Sequence, residues 1–195
     1  MSALERRRGA LVVVVGPSGA GKDSVMGYAA RHFSDCADIH FIRRVITRPS
    51  DAGSEVHESV SVAEFVEMEQ AGAFAVSWDA HGLKYGIPEE VRRNVDSGAT
   101  AIVNGSRGAL PAFRAAFGAI AVAVITAEPS VLARRLAERG RESEEDVLRR
   151  LSRQVPDVTS GADVTVIDNS GRLEIAGRHF VDLVEQSRMT VRSPA

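Results

Sequence analysis

Apolar and polar positions along this chain follow two periods, one of strands and one of helices. Ala10-Leu11-Val12-Val13-Val14-Val15 is a continuous apolar, β-branched run, the pattern of a strand covered on both faces. A glycine-rich stretch follows it, and then a helix-compatible segment from Asp23 to Phe33. Ile39 to Ile46 reads as a second strand. Ser61-Val62-Ala63-Glu64 is a capping box that opens a helix to about Ala71, with Gly72 ending it. Phe74 to Trp78 is strand-like, and Pro88 fits the first turn of a helix that Gly98 terminates. Thr100 to Asn104 and Ile120 to Thr126 are two more buried strands. Pro129 opens a helix to about Arg139, and Ser143-Glu144-Glu145-Asp146 opens the next. Asp163 to Asp168 reads as the last strand and Arg172 to Met189 as the closing helix, with disorder expected from Arg188 to Ala195. Strand and helix alternate throughout. The pattern therefore predicts an α/β fold, an open and mainly parallel sheet wrapped by helices. The interval from Thr47 to Ser77 breaks the rhythm and is expected to carry an inserted part. The chain shows no internal repeat and no low-complexity tract.

The glycine-rich stretch is the strongest chemical signal. Gly16-Pro17-Ser18-Gly19-Ala20-Gly21-Lys22 fits the phosphate-cradling pattern G-x-x-x-x-G-K, in the strand–loop–helix context where that pattern has a mechanism. Its glycines let the backbone curl so that several N–H groups face one anion. The helix start adds its dipole and its unpaired N–H groups. Lys22 adds a point charge for the β/γ-phosphates of a nucleoside triphosphate. A glycine-rich turn that binds nothing is the bland alternative, and the flanking elements argue against it. Asp23 stands where a Ser or Thr usually holds Mg²⁺, and Ser24 follows. Two readings of Asp23 stay open: it helps hold Mg²⁺, directly or through water, or it simply offsets the helix dipole. Ser24 is expected to meet a nucleotide phosphate.

Composition narrows the class. The 195 residues are 44% hydrophobic, which suits one domain with a real core. A net charge of -2 argues against general nucleic-acid binding. The single Cys36 excludes an internal disulfide framework and favours a reducing, cytoplasmic setting. The basic start from Met1 to Arg8 precedes only six apolar residues, too few for a secretory signal, and reads as a solvated tail. No stretch reaches the length of a membrane span.

Beyond the phosphate loop, Val45-Ile46-Thr47-Arg48-Pro49 is followed by Glu55 and His57, and later by Lys84-Tyr85-Gly86. With the loop, this order resembles the guanylate kinase family, which carries Thr-Arg-x-Pro-Arg, an acidic residue and a Tyr-Gly step. The likeness continues through Leu132-Ala133-Arg134-Arg135-Leu136-Ala137-Glu138-Arg139-Gly140, which looks like that family's arginine-rich lid. It runs on to Arg149-Arg150-Leu151 and to Val166-Ile167-Asp168-Asn169, and so covers nearly the whole chain. The departures are informative. Val76 falls where the family has the glutamate that reads guanine, and a valine accepts no hydrogen bond. Ser50 replaces the second arginine, His57 a phosphate-binding tyrosine, and Asn104-Gly105-Ser106-Arg107-Gly108 the acidic strand end. Gly-Lys-Asp-Ser at Gly21 to Ser24 and Asn-Gly-Ser-Arg at Asn104 to Arg107 resemble the ribose 1,5-bisphosphate phosphokinases of phosphonate catabolism. That resemblance implies MgATP as donor, ribose 1,5-bisphosphate as acceptor and 5-phosphoribosyl diphosphate as product. It implies one P-loop kinase domain, with a core at about 10–46 and 99–187, an acceptor-binding part at about 47–98 and a lid at about 135–150.

Site roles follow. Gly16 to Ser24 would bind ATP, with Asp23 and Ser24 toward Mg²⁺. Arg48 would clamp the acceptor phosphate, since a guanidinium meets phosphate in a bidentate way; its bland alternative is a solvated loop arginine. Tyr85 would add a phenolic hydrogen bond, and His57 either joins them or sits at the surface. Arg107 would hold the remote 5-phosphate, and Asn104 either assists or caps the strand end. Arg135 and Arg139 lie four apart on one helix face and would close over the transferring phosphoryl group, with Arg150 beyond them. The alternative is a solvated face on which they pair with Glu138, Glu142, Glu144 and Glu145. Phe74 and Trp78 read as core. Two rivals remain. One is guanylate kinase itself, against which Val76 speaks. The other is a non-catalytic binding module, against which the intact Gly16, Gly21 and Lys22 speak. Partners are expected to be small molecules, with a homodimer compatible with the sequence but not demanded by it.

Overall fold

The computed structural model describes residues 8–49, 56–138 and 161–190. Two sheets organise them. The first is fully parallel and holds β1 (Leu11–Val15), β2 (Ile39–Phe41), β7 (Thr100–Asn104), β8 (Ala121–Thr126) and β9 (Val164–Asp168). Its order is β2-β7-β1-β8-β9, so the strand preceding the glycine-rich loop is the middle one. The second sheet has order β4-β3-β6-β5 and is mostly antiparallel. It comprises β3 (Val45–Ile46), β4 (Glu58–Ser59), β5 (Phe74–Ala80) and β6 (Leu83–Pro88).

The alternating side chains of β1 divide the core in two. Val12 and Val14 face a cluster with Val25, Ala29, Phe33, Ile125, Ile167 and Phe180, formed under α1 (Lys22–His32) and the last described helix, α6 (Leu173–Thr190). Leu11, Val13 and Val15 face the opposite cluster, with Val76, Ile87, Val91, Phe113 and Phe117. That side is covered by α3 (Glu89–Asp96), α4 (Leu110–Phe117) and the strands β5 and β6 of the second sheet. A central strand buried on both faces is why β1 is an unbroken valine run. The remaining helices are α2 (Val62–Gln70) and α5 (Pro129–Ala137).

The structure amends four expectations. Ile39 to Ile46 is not one strand: β2 stops at Phe41 and β3 begins at Val45 in the other sheet. Arg43 and Arg44 lie at this break, where the chain leaves a sheet covered on both faces. The pattern did not announce the helix α4, and Lys84-Tyr85-Gly86 lies in the middle of β6. Pro88 caps α3 from the end of β6 instead of lying inside its first turn. The closing helix extends through Thr190, and Arg188 is held there by Asp38 at 2.7 Å. The helix expected from Ser143 falls outside the described residues, as do Met1 to Arg7 and the tail from Val191. The capping box of α2 is present as read: Glu64 N–H donates to Ser61 Oγ at 3.2 Å and Ser61 N–H to Glu64 Oε2 at 2.7 Å.

Candidate active site

A cleft of about 560 Å³ opens at the carboxyl end of the parallel sheet, beside the middle strand. This is where α/β sheets bind ligands. One wall is the loop from Gly16 to Ser24, together with Asn104, Gly105, Ser106 and Arg107 after β7. The other wall comes from the second sheet: Arg44, Trp78, Tyr85, Ala80 and His81.

The loop wall is made by backbone conformation. Gly16 has φ +151°, and a Cβ there would lie 2.2 Å from the carbonyl oxygen of Ile125. Gly21 has φ +83° and forms the left-handed residue from which α1 starts, with the Asn169 amide 2.4 Å from where its Cβ would be. No other residue fits either position without displacing its neighbours. No side chain caps α1, and the residues of its first turn line the cleft at the positive end of the helix, the place where anions bind. Lys22 folds back over the loop, its Nζ donating to the carbonyls of Gly16 at 3.0 Å and Pro17 at 3.2 Å. Two polar clamps hold the loop from behind. Asn169, buried after β9, donates from Nδ2 to the Ala20 carbonyl at 2.8 Å. Arg135 on α5 donates to the carbonyls of Asn169 at 2.9 Å and Gly19 at 3.4 Å. Arg135 therefore contacts the loop's own backbone, while Arg139 and Arg150 lie outside the described residues.

Asp23 and Asn104 join the two halves of this wall. Asn104 is buried and donates from Nδ2 to Asp23 Oδ1 at 3.2 Å. The first turn of α1 thus carries a carboxylate and, in Ser24, a hydroxyl, both facing the cleft. These are hard oxygen donors of the kind Mg²⁺ takes. Among the described residues no group of three or more His, Cys, Asp or Glu side chains is gathered to hold a metal. A metal here would share its shell with substrate phosphates and water, which is the usual way Mg²⁺ is bound.

The opposite wall is aromatic and cationic. Trp78 and Tyr85 are directly paired across β5 and β6, and their rings stack at 5.3 Å with 8° between planes. The Arg44 guanidinium sits 4.9 Å from the centre of Tyr85 and 5.9 Å from that of Trp78. The hairpin between these strands turns at His81 and Gly82, with φ of 53° and 74°, and carries His81 to the cleft. Trp78, read from sequence as core, packs against Phe113 and also lines the cleft. Phe74 stacks on Phe65 and stays away from it. Val76, the position of interest for base reading, is 4% exposed inside the second core cluster. In charge, the lining carries Lys22, Arg44 and Arg107 against Asp23 alone. Such a site concentrates anions.

Two expected residues stand elsewhere. Arg48 and His57 face each other: Arg48 Nη2 donates to His57 Nδ1 at 3.3 Å, and His57 Nε2 donates to the Arg48 carbonyl at 3.0 Å. Since a guanidinium only donates and a carbonyl only accepts, the ring proton of this pair belongs on Nε2. Neither residue is among those lining the cleft. Arg44 is the residue that sequence reasoning passed over. Its signal was a charged pair, Arg43-Arg44, inside what looked like a single strand.

No protein-family model matches the chain. Known proteins do. A ribose 1,5-bisphosphate phosphokinase PhnN of Agrobacterium fabrum is 55% identical over 177 residues, covering 91% of this chain and 97% of that protein. A protein of the same description from Rhizobium etli is 54% identical, covering 91% and 90%. Among solved structures, the guanylate kinase of Anaplasma phagocytophilum superposes with a TM-score of 0.67 at 18% identity, covering 96% of this chain and 90% of that one. A gluconokinase of Sinorhizobium meliloti superposes with 0.55, also at 18% identity. The fold is thus that of guanylate kinase, an α/β kinase fold.

Proposed function

The chain belongs to the ribose 1,5-bisphosphate phosphokinase family, and from that premise we propose that it moves the γ-phosphoryl group of ATP onto ribose 1,5-bisphosphate. An oxygen of the 1-phosphate attacks the γ-phosphorus. The bond to the β-bridging oxygen breaks, its electron pair leaves with ADP, and 5-phosphoribosyl diphosphate forms. The attacking phosphate is already anionic near neutral pH, so no general base is required. Catalysis is then alignment and neutralisation of charge.

The observation that carries this reading is the charge of the cleft. Three cations face one carboxylate, and the position that would read a purine is a valine packed in the core. Such a cleft suits an acceptor that is mostly phosphate and has no base. Lys22 leaves its loop carbonyls for the β/γ-phosphates, and the open start of α1 receives the donor. Mg²⁺ is the cofactor proposed to accompany the donor; Asp23 and Ser24 would hold it together with the phosphates, and it would supply positive charge at the transferring group. Tyr85, Asn104 and Arg107 belong to the acceptor side, with Arg107 toward the remote 5-phosphate. Arg48 and His57 belong to the acceptor side as a pair and Arg135 to the lid side, while Arg139 lies outside the described residues. The protein works in the cytoplasm on small molecules in phosphonate catabolism, without nucleic acid. Among the described residues no helix is long and apolar enough to cross a membrane.

The test is phosphorus NMR of a reaction with MgATP and separate acceptors. Ribose 1,5-bisphosphate should yield a new diphosphate doublet pair, and GMP should yield little. GDP formation with no product from the sugar bisphosphate would overturn the assignment in favour of guanylate kinase.

A further inference from the structure

We propose that His81, at the tip of the hairpin joining β5 to β6, is a further acceptor-binding residue whose imidazolium meets a phosphate oxygen of the sugar bisphosphate. This rests on the activity inferred above. Ala80 pairs with Leu83, so the hairpin is closed by two residues, His81 and Gly82. Both have positive φ, 53° and 74°, as the type I′ turn of a two-residue hairpin requires. Such a turn favours Asn, Asp or Gly at its first position, because a larger side chain there crowds its own backbone. Among the described residues His81 is the one non-glycine with positive φ. Turn chemistry gives no reason for an imidazole here, and the place of the residue on the cleft does. A departure from the local rule at a ligand-facing position points to function.

The tip is held in place by what lies behind it. Trp78 and Tyr85 are paired across the hairpin and stacked at 5.3 Å, and Trp78 packs against Phe113 of the core. Asp79 and Lys84, the next pair toward the tip, bond at 3.1 Å. Lys84 N–H donates to Thr47 Oγ1 at 2.9 Å, and Thr47 N–H donates to the Lys84 carbonyl at 3.1 Å. Val76, Trp78 and Ala80 share one face of β5, which runs from the core to the cleft. That face is apolar to its end, and the polar lining resumes at His81. The His81 side chain is exposed, so its N–H groups exchange water for phosphate oxygens at little desolvation cost. Among the described residues, the charged and titratable groups that line the cleft with it are Lys22 and Asp23 of α1, Arg107 after β7, Arg44 before β3 and Tyr85 of β6. Asp79 and Lys84 on its own hairpin are engaged with each other. A phosphate dianion drawn into this cationic cleft favours an imidazolium over a neutral ring.

The test uses the one ordinary side chain whose charge changes between pH 5 and 8. Acceptor KM and ATP KM are measured at pH 6 and pH 8 for the wild type and for His81→Gly. Glycine suits the turn, so this variant removes the ring and not the hairpin. Its acceptor KM should exceed that of the wild type about 3- to 10-fold at pH 6 and less than about twofold at pH 8. The ATP KM should stay within about twofold at both. Taking the ratio of variant to wild type at each pH cancels the acceptor's own titration. His81→Asn places a residue the turn favours, should show the same pH-dependent loss, and keeps the test decisive if the glycine variant does not fold. An unchanged acceptor KM in a folded variant, an equal loss at the two pH values, or a loss confined to ATP would each overturn the inference while leaving the activity standing. If the wild type forms no diphosphate from the sugar bisphosphate, it is the activity that fails. Inorganic pyrophosphate is then titrated at pH 6 onto protein holding a non-hydrolysable MgATP analogue, followed by the emission of Trp78, the only tryptophan of the chain. A weaker midpoint in His81→Gly supports the contact, and an unshifted one rejects it.

Discussion

The two walls of the cleft are built on opposite principles. The phosphate-loop wall is local: Gly16 to Ser24 are consecutive, and the chemistry is mainly backbone N–H groups and glycine dihedral angles. The facing wall is assembled from residues 44, 78, 81 and 85, drawn from two strands, a hairpin turn and the segment just before β3, and its chemistry is carried by side chains. The helix starts differ in the same sense. α1 leaves its first N–H groups uncapped beside the cleft, whereas α2 satisfies its own through Ser61 and Glu64. On the proposed function, the ligand that many enzymes share would be met by backbone, and the ligand that distinguishes one enzyme from its neighbours would be met by side chains.

Substitutions separate the two walls. Lys22→Ala strikes the loop wall and should have the largest effect, lowering kcat by about two to four orders of magnitude in a protein that still melts cooperatively. Near-wild-type turnover would remove the loop from the mechanism. Arg107→Ala lies on the loop side but acts on the acceptor. It should weaken ribose 1,5-bisphosphate by roughly one to two decades in KM, with a smaller loss on ribose 1-phosphate. Equal losses on the two acceptors would show that Arg107 does not read the 5-phosphate.

Legibility followed the same division. β1, the loop and α1 could be read from residues 10–33 alone because a valine run, three glycines and a lysine in fixed spacing admit few conformations. Thr100–Asn104 was read to the residue, since a parallel strand buried on both faces is apolar throughout. The second sheet was harder. β3 and β4 are two residues each, too short for a period to show, and β3 was merged with β2 because both are apolar. Arg44 and Trp78 were passed over as cleft residues for a related reason. Their meaning depends on strand pairing, which brings residue 78 opposite 85 and residue 46 opposite 85 in turn. Motif order brought Arg48 and His57 together as a pair, but it did not announce that they bond to each other and stand outside the cleft lining.

Smaller effects refine the contrast. Asn169→Ala removes the 2.8 Å support of the Ala20 carbonyl from a buried position, so it should cost about 1–3 kcal/mol in stability. Its kinetic effect should fall on ATP and leave the acceptor KM alone; an acceptor effect would mean the walls are not independent. Ser61→Ala opens the capping box of α2 and should cost about 1 kcal/mol in thermal or denaturant unfolding without touching turnover. The Ser61 N–H holds the Glu64 carboxyl below its usual range. That contribution is therefore present at neutral pH and fades as pH falls through the lowered value; Ser61→Ala keeps this N–H, so it is the Glu64→Ala stability difference that should shrink in acid. A difference that grows in acid would contradict the capping assignment.

The central claim is that the side-chain wall reads phosphate and not a base. The ratio of kcat/KM for ribose 1,5-bisphosphate to that for GMP, measured with MgATP on one preparation, tests it most directly. The account predicts a ratio of at least about 100, because a guanine set against Val76 and its apolar neighbours leaves several donors unmet. A ratio near or below one would contradict it.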